Sequence, residues 1–136
     1  MTNLYGTYQI FIVDDTAFMR ASLSKILQEL GVSKGNLIEF ENGLEALKAL
    51  QTYKPNLIFI DWNMPIMSGI EFIKKARANP GPMKNVPIVF VTTVSEKEKI
   101  VEALPYGLSG YILKPVTPTI VDRTLRSVLG GEEFNE

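Results

Sequence analysis

Five short runs rich in Ile, Val and Phe recur along the chain, and each is followed by a longer stretch whose apolar residues return at helical spacing. The runs are Gln9 to Val13, Leu37 to Phe40, Leu57 to Ile60, Ile88 to Val91 and Tyr111 to Leu113. Each is too short for a typical helix and is bounded by turn signals, so each reads as a buried strand. Between them, Met19, Leu23, Ile26, Leu27 and Leu30 share a helical face that ends at Gly31. Val121, Leu125, Val128 and Leu129 do the same before Gly130. Alternating β and α elements with crossovers of this length imply a parallel sheet covered by helices on both faces. The expected fold class is doubly wound α/β.

Helix starts carry their own signals. Ser68 with Glu71, and Ser95 with Glu98, have capping-box spacing, and Thr117 places a cap residue before Pro118. Pro105 removes a hydrogen bond from what should be the last turn of the fourth helix, so that helix is expected to end early. The 136 residues, 46% hydrophobic, suit one domain with a single core, about residues 8–129, and a short, polar, frayed tail over 130–136.

Composition then limits the chemistry. With no His and no Cys, the chain cannot build an imidazole or thiolate metal site, a Cys nucleophile or a Ser-His-Asp triad. Fourteen basic against fifteen acidic residues give a net charge of -1, which favours neither nucleic acid nor an anionic membrane as partner. The amino terminus MTNLYGTYQ lacks a basic stretch leading into an apolar run, and no segment approaches the roughly 18 apolar residues of a membrane span. A cytoplasmic location is expected.

Sites in open parallel sheets form beyond the carboxyl ends of the strands. At those positions stand Asp14 and Asp15, then Asp61, then Thr92 and Thr93, then Lys114. A single Asp after a strand most simply caps the next helix, and Asp15 is open to that role. As a set the carboxylates are harder to dismiss, because like charges near a surface repel by about 1 to 4 kcal/mol per pair at 4 Å unless a cation sits among them. An all-oxygen cluster suits Mg2+, and Lys114 offers a second positive charge. In such surroundings a carboxylate can also act as nucleophile and form an acyl phosphate. The plainer readings are a solvated lysine for Lys114 and a β-branched strand end for Thr92. Met64, Met67 and Phe18 are assigned to core or loop packing.

Four separated motifs, IFIVDD, IDWNMPIMSG, VTT and GYILKP, resemble in order and spacing the receiver domains of response regulators, most closely the stand-alone chemotaxis, or CheY-like, type. The likeness runs from about Gln9 to Leu129. It implies a flavodoxin-like (βα)5 fold with strand order 2-1-3-4-5. It further implies that Asp61 accepts a phosphoryl group, that Asp15, Asp61 and the backbone carbonyl of Asn63 ligate Mg2+, and that Asp14 assists through water. Lys114 would pair with the phosphoryl oxygens. The Thr92 hydroxyl would bond to the arriving group, drawing its loop inward and letting Tyr111 turn from exposed to buried. That motion would alter the surface of the fourth helix, fifth strand and fifth helix, where a downstream protein, such as a flagellar motor switch, would dock.

The resemblance implies a sensor histidine kinase as donor, acting in trans because this chain has no His, and a phosphatase as a further partner. No enzymatic turnover is expected beyond phosphotransfer to itself and autodephosphorylation. Two residues depart from the pattern: Thr93 stands where Ala or Gly is usual, and Val94 where the chemotaxis prototype is acidic. Together with Asn63 they are expected to set the life of the acyl phosphate, with Thr93 and Val94 lengthening it. Rival readings are an aspartyl-phosphate phosphohydrolase or mutase, a nucleotide or flavin binder, a scaffold that is never phosphorylated, and a fragment of a longer regulator. The first normally has a second Asp two residues after the nucleophile, where this chain has Asn63; the second lacks any GxGxxG or Walker motif.

Overall fold

The computed structural model describes residues 5–130. Its centre is a five-stranded, wholly parallel sheet built from β1 (Ile10–Val13), β2 (Leu37–Phe40), β3 (Leu57–Asp61), β4 (Ile88–Thr92) and β5 (Gly110–Leu113). The strand order is β2-β1-β3-β4-β5, as the resemblance implied. The boundaries differ from expectation by one residue at four places: β1 begins at Ile10, β3 extends to Asp61, β4 to Thr92, and β5 begins at Gly110. The extensions matter, because they make Asp61 and Thr92 the last residues of paired strands, opposite Val91 and Leu113.

The central strands β1, β3 and β4 are buried along their whole length, as continuous apolar runs demand. Their side chains alternate between two cores. Phe11, Val13, Ile58, Ile60, Ile88 and Phe90 point into one, with Phe72, Ile73 and Ala76 of α3 (Gly69–Ala78) and Ala46 of α2 (Gly43–Ala49). Ile10, Ile12, Leu57, Phe59, Val89 and Val91 point into the other. That core is completed by Leu23, Ile26 and Leu27 of α1 (Ala17–Glu29) and Val121 and Leu125 of α4 (Pro118–Leu125). A five-residue π-helical turn, Arg126–Gly130, continues α4.

The helix-end signals at Gly31, Ser68 and Thr117 hold. Gly31, at φ 111°, ends α1, with its N–H on the Gln28 carbonyl and that of Val32 on Leu27, a Schellman pairing that a non-glycine residue would strain. Ser68 and Glu71 form a reciprocal capping box on α3, and the Thr117 hydroxyl accepts from the Ile120 N–H at 3.3 Å.

The fourth helical segment departs from expectation twice. It is a 3-10 helix, Val94–Tyr106, with Thr93 at its cap position. Ser95 therefore lies inside it and makes no capping box. The chain is still extended at Thr93, and the Glu96 N–H closes directly onto the Thr93 carbonyl at 3.1 Å. Nor does it stop before Pro105. The fixed φ of proline fits this tight winding, and the Arg77 guanidinium supplies donors to the last carbonyls, Tyr106 at 2.6 Å and Gly107 at 2.8 Å. The same guanidinium also bonds the carbonyls of Lys84 and Val86, fastening α3, the entry to β4 and the end of the 3-10 helix to one side chain.

Gly69 shows how tightly α3 is laid against the sheet. A Cβ there would stand 2.6 Å from Cε1 of Phe90 and 3.0 Å from Cα of Trp62. Gly69→Ala is expected to destabilise the fold by about 2 kcal/mol despite alanine's better helix propensity, a cost typical of overpacking. Urea unfolding checks this; a variant as stable as the wild type would show that the approach can relax.

Candidate acidic and phosphoryl-accepting site

At the carboxyl edge of the sheet, β1 and β3 are neighbours, so Asp14, Asp15 and Asp61 converge. One carboxylate oxygen from each lies within 4.8 Å of the others. Asp14 and Asp61 are buried, at 5% and 6% exposure, whereas Asp15 is exposed. Lys114, just past β5, reaches across β4 to place Nζ 3.4 Å from Oδ2 of Asp61 and 3.7 Å from Oδ2 of Asp14. The Lys114 N–H donates to the Thr92 carbonyl at 2.7 Å, so the lysine and the hydroxyl-bearing residue are locked together by backbone.

Burial raises the pKa of Asp61 above its ordinary 3.8. Lys114 pulls it back down, the neighbouring Asp14 raises it, and the Asn63 N–H, 3.3 Å from Oδ1, lowers it. The Asp61 carboxylate is thus partly desolvated, with a cation on one side and a like charge on the other. A hard divalent cation bound by oxygen fits this donor set, since it would relieve the repulsion that a single lysine leaves.

Four further residues expected at the site lie at this edge. Thr92 is 1% exposed; Asn63, Thr93 and Val94 are exposed on the loops that follow β3 and β4. Tyr111 lies on edge strand β5 and is 44% exposed. Asp15 does not occupy the cap of α1: Thr16 does, and Asp14 Oδ1 accepts from both its N–H (2.9 Å) and its hydroxyl (2.6 Å). That leaves Asp15 facing solvent at the site. Met64 and Met67 pack in the core as expected. Phe18 does not: it is 77% exposed, because it falls on the side of α1 that carries Lys25 and Glu29, away from the Met19, Leu23 and Ile26 face.

Sequence reasoning missed Arg20. Its Nη1 donates to the Asp14 carbonyl at 2.7 Å while its Nε pairs with Glu39 at 3.1 Å, fixing the turn that presents Asp14 and Asp15. No local spacing marks such a contact, since Glu39 comes from β2.

The match to known proteins agrees with this geometry. The response regulator receiver domain model matches residues 10–126. The chain belongs to the response regulator receiver family. Among its relatives is the chemotaxis protein CheY1 of Helicobacter pylori, 37% identical over 126 residues that cover 92% of this chain and 99% of the relative. The solved structure of CheY4, a chemotaxis protein of Vibrio cholerae, superposes with a TM-score of 0.80 at 34% identity, covering 90% of this chain and 98% of that one. In fold alone the receiver is also similar to the receiver domain of the Pseudomonas aeruginosa sensor histidine kinase PA1611, whose structure has a magnesium ion in the active-site cleft. That pair has a TM-score of 0.79 and 21% identity, and the match covers 90% of this chain and 98% of that one. This receiver is therefore of the CheY type. No helix among its described residues is long and apolar enough to cross a membrane.

The raised pKa of Asp61 has a consequence for stability. The folded state holds the Asp61 proton more tightly than the unfolded chain, so this group favours folding at low pH and loses that contribution as pH climbs from about 3.8 through the raised value. In EDTA, Asp61→Asn should raise Tm by a few degrees at neutral pH, and the gap between variant and wild type should shrink on acidification to pH 4. Thermal melts from pH 4 to 8 measure it. A variant less stable than the wild type at pH 7 contradicts the burden assigned to this carboxylate.

Proposed function

We propose that the receiver takes a phosphoryl group onto Asp61 from a phosphohistidine on a sensor histidine kinase and thereby switches its binding to a downstream protein in a chemotaxis pathway. The observation that carries this reading is the Asp61 carboxylate held 3.4 Å from the Lys114 ammonium inside a three-carboxylate cluster, beside the buried Thr92. In the transfer, an Asp61 oxygen attacks phosphorus and the P–N bond of the donor breaks, its electron pair remaining on the imidazole nitrogen. The product is an acyl phosphate on Asp61. Lys114 stands where it can neutralise a phosphoryl oxygen, and the Thr92 hydroxyl, whose contact to the Thr93 carbonyl is a weak 3.5 Å, is available for another.

Asp15, Asp61 and the Asn63 carbonyl would hold Mg2+, with Asp14 assisting through water. Bound there, the ion supplies the charge neutralisation that lets an anionic phosphoryl group approach carboxylates. The magnesium in the cleft of PA1611 supports the choice of ion. The receiver's chemistry is its own modification and demodification, not turnover of a separate substrate. A phosphohydrolase reading is disfavoured because Asn63, an amide, occupies the position of that reaction's acid.

A cytoplasmic location follows from a kinase partner of this kind, and the downstream target would read the surface formed by the 3-10 helix, β5 and α4. A flagellar motor switch and a phosphatase are the partners most consistent with relatives named for chemotaxis.

Trp62, the only tryptophan, is buried next to Asp61 with its ring edge-on to Phe90 at 4.8 Å, so it reports on the site. Mg2+, and then Mg2+ with beryllofluoride, should each change its fluorescence, and Asp61→Asn should abolish the beryllofluoride response. Silence to both ligands, with Asp61→Asn behaving as the wild type, rules the function out. Thr93 and Val94 are both exposed at the mouth of the site and bring no charge to orient an attacking water. Val94→Glu is accordingly expected to shorten the acyl-phosphate lifetime several-fold, followed as loss of radiolabel; a lifetime that is equal or longer overturns this role.

A further inference from the structure

The three carboxylates of the cluster are not held alike. Asp14 accepts from the Thr16 N–H and hydroxyl, Asp61 accepts from the Asn63 N–H, and both have the Lys114 ammonium close by. The exposed Asp15 carboxylate accepts no hydrogen bond and makes no ion pair among the described residues. Its position comes entirely from the backbone that carries it, the short turn between the end of β1 at Val13 and the start of α1 at Ala17.

That backbone is gripped from two sides. The Asp14 N–H bonds to the Phe40 carbonyl of β2 at 3.1 Å, and Arg20 Nη1 donates to the Asp14 carbonyl at 2.7 Å. A peptide group is planar, so the Asp14 carbonyl and the Asp15 Cα belong to one rigid unit, and a donor fixed on that oxygen also fixes the root of the Asp15 side chain. Arg20 is aimed in its turn. Its backbone N–H closes onto the Thr16 carbonyl at 3.2 Å, and its Nε pairs with Glu39 of the edge strand β2 at 3.1 Å. The arginine side chain is 13% exposed and that of the glutamate 44%. An ion pair so open on one side adds little to stability, so the effect of Glu39 is to hold the planar guanidinium in register with the turn.

We propose that Arg20 is the positioning residue for Asp15 in the metal site, and that Glu39, acting through Arg20, tunes the affinity of that site for Mg2+. This rests on the reading of the acidic cluster as a Mg2+ site. Mg2+ demands a nearly regular octahedron of oxygens, whereas Ca2+ accepts longer and less regular arrangements, so a misplaced Asp15 penalises the smaller ion more. Charge alone predicts the opposite sign. Removing a cation close to the cluster leaves it more negative, which strengthens the binding of either ion. One substitution therefore separates positioning from charge.

The test titrates the full chain with Mg2+ and, separately, with Ca2+, followed by Trp62 fluorescence, with melts in EDTA to show that each variant is folded. Arg20→Met, which keeps the apolar stem and loses the donors, should weaken Mg2+ binding about tenfold and Ca2+ binding by less than about twofold. Glu39→Gln should lose Mg2+ affinity with the same selectivity to a smaller degree, and should have no further effect in the Arg20→Met background, since its action runs through the arginine. A Mg2+ affinity in Arg20→Met equal to or above that of wild type overturns the proposal, and so does an equal loss for both ions. A Glu39→Gln effect of the same size with and without Arg20 overturns the part assigned to the glutamate. Should Arg20→Met fail to fold, Glu39→Gln decides alone: a selective loss of Mg2+ supports the proposal, and an unselective loss or none overturns it. If wild type binds neither ion, the reading of the cluster as a metal site has failed and the proposal falls with it, a result distinct from every variant comparison.

Discussion

Two buried carboxylates sharing one lysine is the constraint on which this molecule turns. Asp14 and Asp61 are each about one-twentieth exposed, and the Lys114 ammonium lies 3.7 and 3.4 Å from them. With Asp15 alongside, the cluster carries more negative charge than the lysine offsets, in surroundings where each close pair interacts far more strongly than in water. Such an arrangement persists only because the rest of the fold supplies enough burial to hold it. The two cores, one on each face of a sheet whose central strands are wholly apolar, provide that support. The site is stable as built but changes its energy with any ion or anion that enters, the property a chemical switch requires.

The sheet also decides how a change at Asp61 reaches the surface. Asp61 and Thr92 are strand-terminal residues on adjacent strands, and Thr92 pairs with Leu113 while its carbonyl takes the Lys114 N–H. One hydrogen-bonded row therefore joins the carboxylate, the hydroxyl, the lysine and the strand that carries Tyr111. Directly after Thr92 and Thr93 comes the 3-10 helix, whose buried Ile100 and Ala103 and exposed Val101 and Leu104 each recur at intervals of three, the repeat of that winding. Arg77 pins its far end through two carbonyls.

Much of this was legible in the residues. Continuous apolar runs ending in Asp, Thr or Lys mark buried parallel strands and the edge where their ends meet, and the alternation of β1, β3 and β4 side chains between the two cores follows from the pleat alone. What the sequence could not show depends on tertiary partners. Ser95 and Glu98 have the spacing of a capping box, but the strand before them runs one residue longer than its apolar run and the chain turns at Thr93 instead. Pro105 is a stop signal for an α-helix and is accommodated here because a guanidinium from α3 serves the carbonyls of the last turn. Arg20 was invisible for the same reason: its partner is supplied by β2. Phe18 illustrates the opposite error, a large apolar residue assigned to packing by its type and left in water because it lies off the apolar face of α1.

The difference between the two ends of the 3-10 helix gives the switch its direction. Its carboxyl end is fastened by a side chain that the carbonyls of Lys84 and Val86 also hold in place, so displacing that end means breaking two charge-assisted hydrogen bonds at once. Its amino end is held by less: Thr93 makes no side-chain cap bond, the Thr92 hydroxyl has only a 3.5 Å contact, and 3-10 hydrogen bonds are poorer than α-helical ones. A pull applied at Thr92 is therefore taken up at the amino end, next to the acidic cluster, while the Arg77 end acts as a pivot. On the function proposed above, motion would begin where the phosphoryl group arrives, and the exposed Val101 and Leu104 would be carried with it.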